Sequence, residues 1–269
     1  MYGYRLILSA VLLALPLGVL TAQDPSGIEP EALIERVLAV DKAQREQLRD
    51  VTFDAEYIER EESDEGPKEK IRLEKKVYIK YLNDTAWYAE EYLAFYEEGR
   101  QKSENDLKNE AAERTEKKKK RKAQDISYPM LKPFYSIARP LYDIQYLGVA
   151  DERIENRICH HFTVTAKIPE DSLVNGHYYF EAENFHLVRV DFTPSKPVRK
   201  MMFKLKTLDM SILYGPGPDE IWLPKQFDIR GKGKAALFIG VNFAGTEYYR
   251  NPQINTGLPE SLFEAGHDD

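Results

Sequence analysis

Apolar residues recur with a helical period near the start of the chain and with a two-residue period after it. Leu33, Val37 and Val40 follow one another at spacings of four and three, which predicts an amphipathic helix over residues 28 to 48. From residue 51 onward, apolar and polar side chains alternate. This alternation is typical of strands with one buried face, because successive side chains of a strand point to opposite faces.

The alternating stretches predict ten strands, three before a charged stretch at residues 97 to 125 and seven after it. A short helix is expected near the end of the chain, at residues 259 to 263. Turn residues separate the strands at regular intervals, which indicates one antiparallel sheet, strongly curved or closed. Neither a repeat nor a domain boundary interrupts the pattern, so we predict a single α+β domain over residues 23 to 269.

The first 22 residues have the layout of a cleavable secretory signal. Arg5 precedes an uncharged, apolar stretch at residues 6 to 20, which is shorter than a membrane span of about 20 residues. Cleavage is expected after Ala22, and an uncleaved N-terminal anchor is the alternative. Cysteine is absent near that position, so we expect an exported, extracytoplasmic protein that is not a lipoprotein.

Composition excludes several classes of protein. The 269 residues include 38 Lys and Arg against 45 Asp and Glu, which gives a formal net charge of -7. Nucleic-acid-binding proteins normally carry the opposite charge, so we predict no nucleic-acid partner. The single cysteine excludes a disulfide within the chain and any zinc site built from several cysteines. Aromatic residues make up 12% of the chain, which argues against global disorder.

The stretch at residues 97 to 125 has too few apolar residues to bury itself. It contains 18 charged residues among 29 and includes a basic run from Lys117 to Lys122. Its composition favours a solvated helix or a mobile insertion. Contact of the basic run with an anionic membrane surface is the functional alternative, since each Lys or Arg near such a surface contributes about 1 kcal/mol.

The sequence patterns predict neither catalysis nor a metal or cofactor site. The chain has no G-x-S-x-G, H-E-x-x-H or P-loop motif. His160 and His161 are adjacent, so on a strand they point to opposite faces and cannot bind one metal together. Cys159 would need a positioned base and a lowered pKa to act as a nucleophile, and the sequence shows neither. Residues 231 to 236 imitate part of a dinucleotide-binding loop, but they lie between two predicted strands, so we interpret them as a hairpin turn.

Six short segments carry a resemblance to a known superfamily: YDIQYLG at 142 to 148, ENRICH at 155 to 160, YYFE at 178 to 181, FHLVR at 185 to 189, LP at 223 to 224, and YRN followed by INTGLP between 249 and 259. In the order of these segments, a strand that ends in glycine comes first and a strand with a polar-aromatic run comes next. A further pair of strands then carries the patterns Tyr-Phe-acid and aliphatic-Arg. This order resembles the bacterial outer-membrane lipoprotein-sorting, or LolA-like, superfamily. The resemblance covers roughly residues 24 to 264 without the charged stretch.

The resemblance implies a fold and a set of candidate residues. Members of the superfamily form an unclosed antiparallel β-barrel with helical lid segments over an apolar cavity that holds acyl chains. The lid candidates come from the first helix and a proline-punctuated connector, namely Leu33, Val37, Phe134 and Tyr135. The cavity candidates are apolar strand residues, namely Phe53, Tyr57, Ile79, Phe162, Val164, Val190, Phe192 and Phe203. The same side chains would equally fill a closed core, and this alternative stays open.

The resemblance also implies a function, that of a periplasmic carrier for an acyl chain of a lipid or a lipidated protein, with no enzymatic activity and no cofactor. Each buried methylene contributes about 0.8 kcal/mol, or roughly 13 kcal/mol gross for a 16-carbon chain, so an apolar concavity with a movable cover suffices. The alternative is an envelope protein-interaction or sensor protein of the same fold, with the charged stretch as its contact surface. A secreted hydrolase is the least favoured hypothesis.

Overall fold

The computed structural model describes residues 29 to 63, 66 to 82, 85 to 120, 130 to 197, 199 to 200, 203 to 235 and 239 to 264. The predicted secretory signal at residues 1 to 22 lies outside these ranges and stays a prediction. Residues 121 to 129, which join the charged stretch to the connector, also lie outside them.

Twelve strands are found in the described ranges: β1 (Asp50–Ser63), β2 (Gly66–Leu82), β3 (Thr85–Glu97), β4 (Arg100–Gln101), β5 (Tyr142–Val149), β6 (Cys159–Ala166), β7 (Val174–Glu181), β8 (Leu187–Pro194), β9 (Arg199–Lys200), β10 (Phe203–Pro216), β11 (Trp222–Ala235) and β12 (Ile239–Ile254). They form one antiparallel sheet in the order β4-β3-β2-β1-β12-β11-β10-β8-β7-β6-β5, with β9 beside β10. The two ends of this order do not pair within the described ranges. The predicted unclosed antiparallel α+β fold is confirmed, and the ten predicted strands are the ten longer ones.

The helices lie at both ends of the described chain and between the strands. They are α1 (Pro30–Gln47), α2 (Glu104–Lys120) and α3 (Ser261–Glu264), together with short 3-10 helices at Lys132–Phe134, Arg139–Leu141 and Pro218–Glu220. The predicted first helix is confirmed, and it buries Leu33, Ile34 and Val37. Across the described ranges, no helix combines the length and the apolar character that a membrane crossing requires.

One row of side chains crosses the sheet on a single face, because directly opposed residues of neighbouring strands point to the same side. We call this side the inner face. From β5 to β3 the row consists of Tyr146, Phe162, Tyr178, Val190, Ile212, Phe227, Glu247, Tyr57, Leu73 and Phe95. The row is apolar or aromatic except at Glu247, so the inner face must be covered to be shielded from water.

Helix α2 forms within the charged stretch and packs on the inner face. One side of it is partly buried through Leu107, Glu110, Ala111 and Arg114, and the Arg114 guanidinium lies 5.4 Å from the centre of the Tyr57 ring. The stretch is therefore a helix with one docked side, not a mobile insertion over residues 104 to 120. The side chains of the basic run from Lys117 to Lys122 lie outside the described residues, so its contact with a membrane stays a prediction.

The predicted hairpin turn at residues 231 to 236 is wrong. Residues up to 235 continue β11 and pair with both β10 and β12. Gly231 lies opposite Phe243, and a β-carbon at position 231 would approach the Phe243 ring to 2.5 Å. The glycine therefore allows an aromatic ring to lie across the strand, which local sequence patterns do not distinguish from a turn.

One buried carboxylate fastens the chain after β12 to the start of β1. Asp50 is 3% exposed. Its oxygens accept hydrogen bonds from the backbone N–H groups of Thr256, Gly257 and Leu258 at 2.7, 3.0 and 3.4 Å. The Thr256 hydroxyl donates a further bond of 3.1 Å. The conformation of residues 256 to 258 therefore depends on this acceptor.

Replacing Asp50 with Ala leaves these donors without their acceptor. We expect the free energy of unfolding to fall by about 2 to 3 kcal/mol, in the range for hydrogen bonds to a charged group. Urea denaturation followed by circular dichroism measures the change. Asp54→Ala is the control, because the Asp54 side chain is 48% exposed in its pair with Lys76 and should contribute less than about 1 kcal/mol. Equal losses in both variants would contradict the assignment.

Candidate functional site

The inner face of β5 to β8 and β10 carries the larger of two apolar clusters. It packs against α1 and the connector at residues 130 to 141, which together we call the lid. We call the whole assembly the lid cluster. Its buried strand residues include Phe162, Val164, Tyr178, Phe180, Val190, Phe192 and Ile212, and its buried lid residues include Leu33, Ile34, Val37, Leu131 and Phe134. Sheet and lid thus share one core.

Phe134 is the side chain through which the connector enters this cluster. It is 1% exposed, and its ring makes edge-to-face contacts with Phe162, Tyr178 and Phe180 at centroid distances of 5.9, 5.1 and 5.5 Å. Each such pair contributes about 0.5 to 1.5 kcal/mol beyond the burial of its surface. The Phe134 N–H bonds to the Leu131 carbonyl within a 3-10 turn. Side-chain packing, and not strand pairing, therefore holds the ring on the sheet.

Polar contacts at the rim join the two parts of the lid. Arg139 of the connector donates two hydrogen bonds to the Glu31 carboxylate of α1, and these bonds lower the pKa of Glu31. Tyr135 donates a hydrogen bond to Asp41. Arg45 lies 2.9 Å from the same carboxylate and 5.3 Å from the centre of the Tyr135 ring. Burial nevertheless raises the pKa of Asp41. These contacts tie α1 to the connector, and a hydrogen bond of 2.6 Å from the Trp222 N–H to the Gln44 side chain ties α1 to β11.

A stack of side chains attaches the middle of α1 to the β7–β8 hairpin. The Arg36 guanidinium lies 5.1 Å from the centre of the Phe185 ring, and that ring is stacked on His160 at 6.1 Å. The Nδ1 atom of His160 lies 2.8 Å from the Tyr146 hydroxyl. Phe185 has a φ of 60°, which is unusual for a bulky residue. Such a conformation persists where surrounding contacts impose it, and the stack supplies these contacts.

Four of the eight predicted cavity residues lie together under the lid, namely Phe162, Val164, Val190 and Phe192. The predicted lid residues pack with them: Leu33, Val37 and Phe134 are buried, and Tyr135 is partly buried. These side chains therefore occupy the space between lid and sheet, and a ligand would have to displace part of the lid in order to enter.

The other four predicted cavity residues lie elsewhere. Phe53 and Ile79 belong to a second apolar cluster on the inner face of β1 and β2. Tyr57 lies below α2, with Arg114 over its ring. Phe203 begins β10, and its side chain lies outside the described residues. The eight residues therefore do not form one group, and a role of any of them in ligand binding stays a prediction.

A buried ion cluster occupies the inner face of β2, β3 and β12. The Nζ atom of Lys75 lies 2.6 Å from Oε1 of Glu90 and 2.8 Å from Oε1 of Glu247. Tyr88 and Tyr92 donate hydrogen bonds of 2.5 Å to the two oxygens of Glu90. The side chain of Lys75 is only 6% exposed, and buried charges are tolerated where they are paired and hydrogen-bonded. We call this group the charged cluster.

Burial and the two carboxylates shift the titration of the charged cluster. Burial raises the pKa of Tyr88, and of Tyr249 hydrogen-bonded to Glu247, well above the usual 10.0, and the charges of Glu90 and Glu247 add to the shift. Burial alone would lower the pKa of Lys75, but Glu247 and Glu90 outweigh it and raise that pKa. A raised folded-state pKa contributes stability that is complete below the unfolded-state value and is lost as the pH rises through the folded-state value. The charged cluster therefore stabilises the fold at neutral pH and fails in strong alkali.

Other reactive side chains lie apart from the lid cluster or are held inactive. As predicted, His160 and His161 point to opposite faces: Nε2 of His161 lies 2.9 Å from Nδ1 of His177 on the outer face. Burial raises the pKa of the Cys159 thiol to about 11, so the thiol stays protonated at neutral pH. Within the described ranges, no three His, Cys, Asp or Glu side chains are grouped so as to hold a metal ion.

Sequence reasoning missed the charged cluster and two of the three aromatic residues around Phe134, namely Tyr178 and Phe180. Lys75 lies two residues from both Leu73 and Val77 and shares their strand parity, which is the signal of a buried cation. Glu90 has the same relation to Tyr88 and Tyr92. Tyr178 and Phe180 share one parity on β7, but a single strand does not reveal which parity faces the lid.

Comparison with known proteins finds similarity at the level of the fold. The chain matches no protein-family model and no curated protein. It is similar to the crystal structure of a DUF1329 family protein from Desulfovibrio piger, at 12% identity over 87% of this chain and 96% of that chain, with a TM-score of 0.47. It is also similar to an outer membrane lipoprotein-sorting protein domain from Vibrio parahaemolyticus, at 11% identity over 86% and 97% of the two chains and a TM-score of 0.40.

A third similar structure is that of a LolA superfamily protein from Nitrosomonas europaea, at 10% identity over 88% of this chain and 97% of that chain, with a TM-score of 0.36. Two of these three descriptions name the superfamily that the sequence resembles. All three TM-scores lie below 0.5. The function is therefore argued from the geometry of this chain.

Lys75→Met removes the ammonium group and leaves the carboxylates of Glu90 and Glu247 buried without it. We expect the free energy of unfolding at pH 7 to fall by about 3 to 5 kcal/mol. The deficit relative to the wild type should shrink as the pH falls through the carboxylate range, because protonation removes the repulsion. Urea denaturation at several pH values measures both effects. Lys76→Met, whose side chain is 40% exposed, is the control. Equal stability of the two variants at pH 7 would refute the buried role of Lys75.

Proposed function

We propose that the chain binds the acyl chain of a lipid or a lipidated protein between the inner face and the lid, and that it carries this ligand without catalysing a reaction. The observation that supports the proposal most is the insertion of Phe134 among Phe162, Tyr178 and Phe180. The inserted side chain belongs to a turn that makes no strand pairing, so it can leave without breaking the sheet.

An acyl chain buries more apolar surface than the Phe134 ring does, and this difference favours the exchange of the ring for the chain. Full burial of a Phe side chain contributes about 1.5 to 3 kcal/mol. A 16-carbon chain contributes roughly 13 kcal/mol gross. The difference of about 10 kcal/mol lies within the range of the cost of association, which is about 4 to 15 kcal/mol. Displacement of the ring therefore requires a long apolar ligand, because a short one buries too few methylenes to offset that cost.

A groove beside the lid offers the route of entry. It has a volume of about 660 Å³ and lies between the connector, with Arg139 and Pro140, and the edge strand β5, with Tyr142 and Ile144. Tyr142 is a buried member of the lid cluster, and Ile144 packs against that cluster. The groove therefore ends where the lid cluster begins, and an outward movement of the connector would join the two spaces.

The ligand and the predicted secretory signal together favour a location in the bacterial cell envelope. If the signal is removed as predicted, the mature protein is periplasmic, and acyl chains in that compartment belong to lipids and lipidated proteins. The exposed groove and the apolar lid cluster suit a carrier that takes up such a chain and releases it again.

Phe134→Ala truncates the inserted ring and enlarges the space below the lid. Without lipid, we expect the free energy of unfolding to fall by about 3 to 5 kcal/mol. The variant should bind more of the fluorescent apolar probe N-phenyl-1-naphthylamine than the wild type does. Added phospholipid should displace the probe and restore part of the lost stability, because it binds the folded state. Fluorescence titration and thermal unfolding measure these effects.

Phe263→Ala is the matched control for this experiment. Phe263 is 3% exposed and packs against Trp87 of β3 at a centroid distance of 6.1 Å, far along the sheet from the lid. The control should lose stability but should gain neither probe binding nor recovery by lipid. Equal gains in both variants, or a wild-type chain that binds neither probe nor phospholipid, would overturn the proposal.

A further inference from the structure

Tyr178 brings a polar atom into the apolar lid cluster. The residue lies on β7, opposite Phe162 on one neighbouring strand and Val190 on the other. Its side chain is fully buried. Its hydroxyl is enclosed and has no hydrogen-bond partner among the described residues. Buried polar groups in folded proteins almost always have a partner, so this hydroxyl requires an explanation.

Packing alone does not explain the hydroxyl. Phenylalanine occupies the neighbouring positions of the cluster at Phe162 and Phe180, and it would give the same ring at position 178. A buried hydroxyl without a partner loses its hydrogen bonds to water on folding, and no hydrogen bond within the protein offsets this loss of free energy. In the ligand-free protein, Tyr178 is therefore less favourable than a phenylalanine at the same position. A hydrogen-bond acceptor that arrives from outside would remove this cost.

The position of Tyr178 indicates where such an acceptor would come from. Its ring lies 5.1 Å from the Phe134 ring, which is the side chain that an entering acyl chain would displace. The titratable groups that interact with Tyr178 are Tyr142 and Tyr214, and both are neutral phenols. A carboxylate placed there would be buried without a cation, which is strongly unfavourable. A neutral carbonyl oxygen satisfies the hydroxyl without that cost.

We propose that the Tyr178 hydroxyl donates a hydrogen bond to the carbonyl oxygen of an ester-linked or amide-linked acyl chain. This inference rests on the proposed function and makes it more specific: the site selects acyl esters and amides over free fatty acids, whose carboxylate is charged at neutral pH. Phospholipids and acylated proteins both carry such a carbonyl.

Tyr178→Phe in the full-length chain tests the inference. Without ligand, the variant should unfold at the same temperature as the wild type or at a higher one. The affinity for methyl laurate, measured by displacement of N-phenyl-1-naphthylamine, should fall by up to about tenfold, and the affinity for tridecane should not change. The infrared carbonyl band of bound methyl laurate, labelled with carbon-13 at the carbonyl, should lie at a lower frequency in the wild type than in the variant.

Tyr88→Phe is the matched control. It also removes a buried hydroxyl, but this hydroxyl is bonded to Glu90 at 2.5 Å, so the variant should lose stability and keep the wild-type affinity for methyl laurate. Competition by a myristoyl lysophospholipid and by a myristoylated peptide distinguishes a lipid source from a protein source. For whichever competitor binds, weaker competition in Tyr178→Phe supports the inference.

Three results would overturn the inference that Tyr178 bonds to an acyl carbonyl. Equal affinity for methyl laurate and an equal carbonyl frequency in wild type and Tyr178→Phe would refute the hydrogen bond while leaving the proposed function intact. A loss of stability in ligand-free Tyr178→Phe would show that the hydroxyl has a partner within the protein. A wild-type chain that binds neither probe nor ester would refute the proposed function, and the inference with it.

Discussion

The insertion of the Phe134 ring into the inner face is the contact on which the rest of the structure depends. An open antiparallel sheet of this composition presents a row of aromatic and aliphatic side chains on one side, and water disfavours such a surface. A closed barrel would solve the problem by strand pairing. Here the sheet stays open, and the connector with its inserted ring covers the surface together with α1. The cover is therefore not joined to the sheet by strand pairing.

The two halves of the inner face are held in place by different kinds of contact. On β2, β3 and β12, Lys75 holds Glu90 and Glu247 at 2.6 and 2.8 Å, and removing Lys75 leaves two buried carboxylates without their cation. This half is consequently fixed. On β5 to β8, the contacts with the lid are mainly dispersion and burial, which any apolar group of suitable shape can replace. A rigid half next to a replaceable cover suits a binding protein whose ligand is recognised chiefly by its apolar length.

Local periodicity predicts α1 and the longer strands but not the partners of those strands. The spacing of Leu33 and Val37 predicted α1, and alternation predicted the ten longer strands, because both periods repeat within a few residues. The strand order places β12 between β1 and β11, which brings Glu247 to Lys75, and single-strand patterns contain no information on that pairing. The same limit explains why Phe53 was grouped with Phe162 although the two lie in separate clusters. The inserted Phe134 was a predicted lid residue, since prolines interrupt the connector that carries it.

In the proposed function, an acyl chain takes the place of the Phe134 ring. Fluorine NMR of a chain with 4-fluorophenylalanine at position 134 alone tests it most directly, because the fluorine signal reports whether the ring is buried or in water. We expect one buried signal in the lipid-free protein, and a solvent-exposed signal that grows in proportion to bound phospholipid. A signal that stays buried when phospholipid is bound to saturation would show that the ligand lies elsewhere and would contradict the account.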